Sequence, residues 1–523
     1  MPSHQSLTDP RRRGAVLRVV VLALLLVVSA VASLNVALPE IARDTGASQS
    51  ELQWIVDAYA LVFAALLVPA GAIGDRFGRR TVLAVGIGLY GAASFMALFA
   101  SSAGQLIGLR ALMGVGAACI MPVTLSVITT VFPPEERGRA VGTWVGVAAG
   151  GAIIGLLASG VMLEFFSWQS IFALNVVLAA AALIGTLVVV PATRDSHPPR
   201  LDPVGALLSF AGLTALVFGI IEGSERGWTD TLTAGSLAGG VLGLVAFVMW
   251  ELGRSEPMLD PRNFLRRGFG AGSASLTIQF FALFGFLFLA LPYLQLVQGF
   301  SPLEASAALL PMALVVMPLS RKSPAIAARA GVRVTGAIGL SLIAAGFLIL
   351  ATLEPGSSYW QFLAGLLPLG AGVALAGAPA TTAIVASLPK EKQGVASAVN
   401  DVSRELGGAL GIAVLGSLQN TQYRSDLGDS TSGLPAPVAE KAESSLAAAQ
   451  QIGQDMGAGG HEFMLHAQTA FMNGFGRALI AGAAALLLGA VFVAFRAPGR
   501  AESTENAGLD LGHPAPAIGG ALH

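Results

Sequence analysis

The sequence predicts an all-α integral membrane protein with fourteen transmembrane helices, arranged as two six-helix bundles with two further helices inserted between them. Three observations carry that reading. Hydrophobic residues make up 54% of the 523 residues and charged residues 12%, with a mean hydropathy of +0.71, outside the range of soluble globular chains. Apolar runs of about 20 residues, the length that crosses roughly 30 Å of hydrocarbon, recur along the whole chain. A glycine pattern in the fifth run returns in the thirteenth.

The runs fall at about 15–37, 52–74, 81–101, 104–131, 139–163, 169–191, 203–222, 232–252, 269–293, 303–320, 332–353, 359–387, 394–418 and 473–495. Arg11 to Arg13 precede the first run and Ala30-Val31-Ala32 resembles a cleavage site, but thirteen further runs favour an uncleaved first helix over a signal peptide. With the N-terminus inside, about 23 of the 30 basic residues fall on the inner side. Four fall outside (Arg43, Arg226, Arg424, Lys441) and three within spans (Arg110, Arg404, Arg477). This asymmetry predicts a multi-pass protein of the cell membrane with both termini cytoplasmic. The domains expected are 1–191 for the N-terminal bundle, 192–268 for inserted helices seven and eight, 269–496 for the C-terminal bundle and 497–523 for a cytoplasmic tail. An external loop is expected at about 419–472, in which 437–456 reads either as an amphipathic surface helix or as a linker.

Internal repetition is a mark of transporters whose halves rock about a central site. A shift of 256 residues places Gly138 on Gly394, Gly151 on Gly407, Gly155 on Gly411 and Gly160 on Gly416. Between the second and third runs, GAIGDRFGRRTVL combines Gly71, Gly74 and Gly78 with Asp75 and with Arg76, Arg79 and Arg80. This is a cationic turn pinned between two helices, a clasp for one side of the protein. Asp75 is placed to cap the following helix or to pair with a basic residue of a neighbour, holding the inner gate shut when the outer side is open; a topology signal alone is the plainer alternative. A copy without the acid stands at Ala328-Arg329-Ala330-Gly331-Val332-Arg333.

These motifs resemble the major facilitator superfamily, in particular its fourteen-helix drug:proton antiporter branch of EmrB/QacA type. The first helix ends in LNVALP (34–39) and the second opens with QWIVDAY (53–59) as in that branch. The clasp matches the superfamily loop signature, and LIGLRALMGVGAA (106–118) is similar to its fourth-helix motif, with Met113 where glutamine is common. Ser167-Trp168 through Phe172 to Asn175 resembles the usual entry to helix six. The resemblance implies proton-driven export of small hydrophobic or cationic compounds by alternating access, and links the arginine at position 110 to proton transfer. It also implies the antiporter motif on helix five at Gly142, Gly146, Gly150, Gly151 and Gly155, although Gly151 stands where the usual proline does. The acid and threonine that many members carry in the first helix are replaced by Ala30 and Ala32.

Small residues at four-residue spacing let helices approach closely in lipid, which is the physical reading of that glycine ladder. Ionisable residues at membrane depth are costly and therefore candidates for function. Asp57 in the second span, Arg110 in the fourth, and Asp401 with Glu405 in the thirteenth form that set, for proton coupling or substrate binding. Asp401 and Glu405 share one helix face, about 10 and 16 Å from the inner end. A carboxyl deprived of hydration there can exchange a proton in competition with substrate, whereas pairing with Arg404 or Arg110 would make it structural. Phe280, Phe281, Phe284 and Tyr293 are candidate cavity walls.

Other functions are set aside on composition. All six histidines (His4, His197, His461, His466, His513, His523) fall in loops or tails, which argues against haem or histidine-based metal sites within the bilayer. No GxxxxGK[ST] loop is present, so neither ATP nor another cofactor is expected to drive transport. One proton falling through 100 mV and one pH unit releases about 3.7 kcal/mol, enough for roughly a 500-fold gradient of a neutral compound. A net charge of −1 argues against nucleic acid, and the lone Cys119 cannot form an internal disulfide. The expectation is therefore a monomeric, non-enzymatic exporter of small molecules in exchange for protons, the alternative being a proton symporter that imports a metabolite.

Overall fold

The computed structural model describes residues 9–193, 202–255, 257, 259–388, 393–431 and 433–499, and among them it is helical with no strand. The first half comprises α1 (Pro10–Thr45), α2 (Gln49–Phe77), α3 (Arg79–Ala97), α4 (Ala103–Val131), α5 (Pro134–Phe165) and α6 (Gln169–Val189). An inserted pair, α7 (Pro203–Arg226) and α8 (Thr231–Leu252), follows. The second half holds α9 (Arg267–Pro292), α10 (Pro302–Ala307), α11 (Leu310–Ala330), α12 (Val332–Leu350), α13 (Tyr359–Ala386), α14 (Gln393–Thr431), α15 (Ala436–Ser444), α16 (Leu446–Asp455) and α17 (Gly460–Arg496). The predicted runs lie largely on helix, that at 303–320 being broken by a turn at 308–309 between α10 and α11. Twelve helical segments of the described residues are long and apolar enough to cross a membrane by length and composition, with α10 and α11 joined in one segment. The two others, α5 and α14, have 32 and 39 residues.

Local chemistry sets the helix ends. Ser48 and Glu51 form a reciprocal capping box at the start of α2, and Ser301 and Glu304 form the same box at the start of α10. Gly78 joins α2 to α3 at φ +105° and Gly331 joins α11 to α12 at φ +90°, conformations open to glycine and poorly to any residue with a Cβ.

The halves repeat one another in packing as well as in sequence. Gly86 approaches the Gly116 carbonyl where α3 crosses α4, and Gly339 approaches the Gly372 carbonyl where α12 crosses α13, each with 2.9 Å between an added Cβ and that oxygen. Gly155 lies on the Ser29 backbone of α1, and its counterpart Gly411 lies on the Phe281 backbone of α9. Gly114 faces the Tyr59 carbonyl and Gly370 the Met312 carbonyl in the same relation. These are sites where a side chain would force the helices apart.

Contacts that join the halves lie at the end remote from the clasp, termed here the far end. Gln53 Nε2 donates to the Ile412 carbonyl at 3.3 Å and Gln295 Nε2 to the Val36 carbonyl at 2.9 Å. Gly160 of α5 sits on Ser306 of α10, and its counterpart Gly416 of α14 sits on Gln53 of α2. The inserted α7 docks on both α2 and α14, while α8 buries only 11% of its most apolar window. Asp202 anchors this pair by accepting bonds from Gly205 N at 3.0 Å and Trp250 Nε1 at 2.9 Å. Burial raises its pKa, but these bonds and Arg254 outweigh burial and hold the carboxyl below the usual carboxylate range.

Several expectations are corrected. The stretch 419–472 is mostly helical: α14 runs on to Thr431, α17 starts at Gly460, and α15 and α16 fill the interval. Polar residues extend these helices because they find partners, Tyr423 Oη donating to the Ala442 carbonyl at 3.0 Å and Asn473 Nδ2 to Asp426 at 2.8 Å. On the helix-five ladder, Gly151 and Gly155 lie on α1, but added Cβ atoms on Gly142 and Gly146 would meet nothing within 4 Å. Those two point along a different stripe of α5, at the clasp end, where the halves do not meet. Tyr293 is no cavity wall but a 1% exposed ring stacked between Phe362 and Phe475. Gly150 as a contact residue, Ala32, residues 500–523 of the tail, and His4, His197, His513 and His523 lie outside the described residues or side chains.

Candidate functional site

The clasp is built on close packing of α2 against α4. Gly71 faces Pro122, and Gly74 has no room for a side chain beside Val123, where an added Cβ would stand 2.6 Å from Cγ2. From that base Asp75 accepts bonds from Arg79, Nε at 3.0 Å and Nη2 at 2.9 Å, with Ser126 of α4 at 3.5 Å. Arg79 also reaches Thr130 of α4, its backbone N–H bonds the Thr193 carbonyl at 2.9 Å, and Arg80 reaches the Leu187 carbonyl of α6. Arg76 points outward and is exposed. The clasp thus makes these contacts inside the first half, binding α2, α3, α4 and α6 into one body and leaving the second half free of it.

Deeper in the same half, Arg110 is 2% exposed. Its Nε donates to the Ile55 carbonyl at 3.0 Å and its guanidinium lies 4.3 Å from the centroid of the Tyr59 ring. Tyr59 in turn donates its hydroxyl to the Val27 carbonyl of α1 at 3.1 Å. Tyr90 of α3 is also fully buried in this half.

On α14, Asp401 and Glu405 are each 8% exposed. Asn400 Nδ2 approaches Asp401 at 3.4 Å, and Asn400 is itself held by Thr381 Oγ1 at 2.9 Å. Arg404 lies over the Phe280 ring, 4.6 Å from its centroid, and not in an ion pair with either acid among the described residues. Glu405 Oε2 is buried without a hydrogen-bond partner among the described residues. This site can take up a proton or a polar or cationic group, because its acids are neither bridged by arginine nor saturated with donors.

These helices match the description Major Facilitator Superfamily over residues 20–412. The chain belongs to the major facilitator superfamily. Similar superfamily proteins include the multidrug efflux pump LfrA of Mycolicibacterium smegmatis, 34% identical over 93% of this chain and 97% of that one. The puromycin resistance protein pur8 of Streptomyces alboniger is 37% identical over 80% and 84%. The tetracenomycin C resistance and export protein of Streptomyces glaucescens is 30% identical over 92% and 91%. Among solved structures, a bacterial homolog to the human lysosomal transporter Spinster, in an inward-facing and unoccupied conformation, aligns with a TM-score of 0.67 at 17% identity. It covers 97% of this chain and 100% of that one, and shares the fold.

In this facilitator the four predicted core ionisable residues do not form one cluster. Asp401 and Glu405 share α14, whereas the contacts of Arg110 go to Ile55 and Tyr59 of α2. Asp57, 0% exposed, stands on the opposite face of α2 from Tyr59, turned toward α7 and α14. Sequence reasoning missed Tyr59 and Tyr90, which carry no formal charge and pass as ordinary apolar-run residues. A signal was available for one of them: Tyr59 lies one turn beyond Ile55, whose carbonyl the arginine uses.

Proposed function

We propose that this facilitator exports small hydrophobic or cationic compounds across the cell membrane in exchange for protons, as a monomer with no cofactor. The observation that carries it is the set of buried carboxyls with no arginine salt bridge among the described residues, in a two-half scaffold whose relatives, matched over 84% or more of their length, are named for efflux and resistance. Fourteen crossings, with the arginine-rich clasp and both termini on the cytoplasmic side, agree with the distribution of basic residues. In this reading, halves joined at the far end admit cargo to Asp401 and Glu405 from the clasp side, which the reading puts in the cytoplasm. Proton binding and cargo binding at Glu405 then exclude one another, so that cargo leaves on one side as a proton arrives.

Everted membrane vesicles test the direction. An imposed inward-acid gradient should drive a lipophilic dye cation such as ethidium into vesicles carrying the protein and not into vesicles lacking it. Proton-coupled uptake by intact cells with no accumulation in everted vesicles would make the protein an importer.

A further inference from the structure

The inserted helix α7 docks where α2 and α14 meet, and the three helices enclose a seam that starts toward the far end, where Ser50, Ser224 and Asn420 are themselves buried. At its mouth Ser50 Oγ of α2 lies 3.5 Å from Ser224 Oγ of α7, and Asn420 Nδ2 of α14 donates to Ser224 Oγ at 3.2 Å. About one turn deeper, Ser417 Oγ donates to the Ile220 carbonyl at 2.9 Å and Gln53 Nε2 to the Ile412 carbonyl at 3.3 Å. Ser50, Gln53 and Asp57 stand at i, i+3 and i+7 on one face of α2, which puts Asp57 about 10 Å below the mouth. Another turn down, Leu61, Leu213 and Leu410 belong to a single apolar cluster with Val217, Ile221 and Ala413. Polar side chains line the seam from the far end to Asp57; below it the lining is mainly apolar, with Thr214 of α7 next to Leu213.

The polar part of the seam is undersupplied with donors. Gln53 Oε1, Asn420 Oδ1 and both carboxyl oxygens of Asp57 are buried with no hydrogen-bond partner among the described residues. Unmet acceptors of this kind cost several kcal/mol each unless water reaches them. A polar seam with several convergent acceptors is the setting in which ordered water is held. Acceptors left over, and not donors, suit water and hydronium and disfavour an anion.

Charged groups on the helices packed against α2 leave Asp57 alone. Arg110 of α4 faces Tyr59 on the other side of α2, and Asp401, Arg404 and Glu405 of α14 lie beyond the leucine cluster. Glu222, Glu225 and Arg226 of α7 stand at the mouth, and the charged residues of α1 and α3 lie near their helix ends.

We infer that the seam between α2, α7 and α14 is a proton inlet that admits water from the far end as its packed outer residues part, is stopped by the leucine cluster, and serves Asp57 apart from the route taken by cargo. The inference rests on the proton-coupled reading above and gives the inserted pair a task in it: α7 supplies the third wall. A proton entering here reaches a carboxyl sealed from the clasp side while the halves are closed at the far end.

Cysteine accessibility tests the route without requiring transport. In a full-length chain carrying Cys119→Ser and Asp57→Cys, a small methanethiosulfonate reagent reports hydration, because only the thiolate reacts. A protease-sensitive tag at the C-terminus identifies the clasp face in each preparation. Labelling is expected about tenfold faster from the far face than from the clasp face, and about tenfold slower once Asn420→Leu is added. With Asp57 intact, Asn420→Leu, or the gentler Ser224→Val, should slow proton-driven ethidium accumulation while leaving equilibrium ethidium binding unchanged. Equal labelling from both faces, faster labelling from the clasp face, or labelling indifferent to Asn420→Leu overturns the inlet. Any of these results leaves vesicle accumulation by the unaltered chain to stand or fall separately.

Discussion

At the scale of residues, the core holds two kinds of charged group. Arg110 is held by an aromatic face and one carbonyl, with no carboxylate bridged to it and with Nη2 buried without a hydrogen-bond partner among the described residues. Lysine offers neither the flat stacking surface nor the directed Nε, and Arg110→Lys should lower the initial rate of vesicle accumulation by about tenfold or more. Glu405 is the opposite case, an acid held open for exchange. Glu405→Gln should insert in normal amount, measured by membrane immunoblot, yet lose accumulation driven by a pH gradient; full gradient-driven transport by that variant would remove Glu405 from the coupling step. Tyr59→Phe keeps the ring under Arg110 and removes the bond to Val27, which should cost about 1 kcal/mol, read as a fall in the thermal midpoint in detergent. The charged members of this set were legible because charge is conspicuous in an apolar run. Tyr59 was not, since its role depends on which helix it faces.

At the scale of elements, the glycines that matter are those with another backbone against them. A Cβ on Gly411 would collide with the Phe281 carbonyl, whereas one on Gly146 would meet open space. Gly411→Val should therefore cost at least the 1 to 3 kcal/mol typical of overpacking and deplete the folded protein, and Gly146→Ala should leave the amount unchanged, both read by fluorescence-detected size exclusion. The sequence pattern revealed that glycines recur, and it could not reveal which stripe of α5 meets α1. That information lies in the rotation of one helix against another, set by the whole bundle. The stretch 419–472 failed for a related reason. Its polarity reads as loop in isolation, and only the mutual bonding of α14, α15 and α17 keeps it helical.

At the scale of the molecule, the two halves are joined at the far end by equivalent contacts, Gly160 on Ser306 and Gly416 on Gln53. A disulfide there should hold the halves together. An added Cβ at Gly160 stands 2.9 Å from Ser306 Cβ, closer than the roughly 3.5–4.5 Å of a disulfide, so Gly160→Cys with Ser306→Cys should cross-link once the two helices part by about 1 Å, and stop transport until a reductant is added. The clasp acts at the other end. Because Asp75 ties Arg79 to α2 and reaches α4, Asp75→Asn should insert normally and transport poorly in the same vesicle assay, and unchanged transport would reduce the motif to a topology signal. The duplication behind this arrangement was legible in the shifted glycines, but the reciprocal contacts were not, since each joins an early helix of one half to a late helix of the other. Their symmetry has a bearing on ancestry. A half-length forebear would have made both contacts at once as a pair of identical chains, with every substitution felt twice. Fusion into one gene would free the copies to diverge, and the charged groups suggest where: with the second and third helices shifted by 253 residues, as Gln53 stands to Ser306, and the fourth and fifth by 256, Asp57, Asp75, Arg110 and Glu405 correspond to Leu310, Ala328, Leu366 and Ala149. The scaffold kept its twofold inheritance while the ionisable chemistry became the property of single positions, each open to selection on its own.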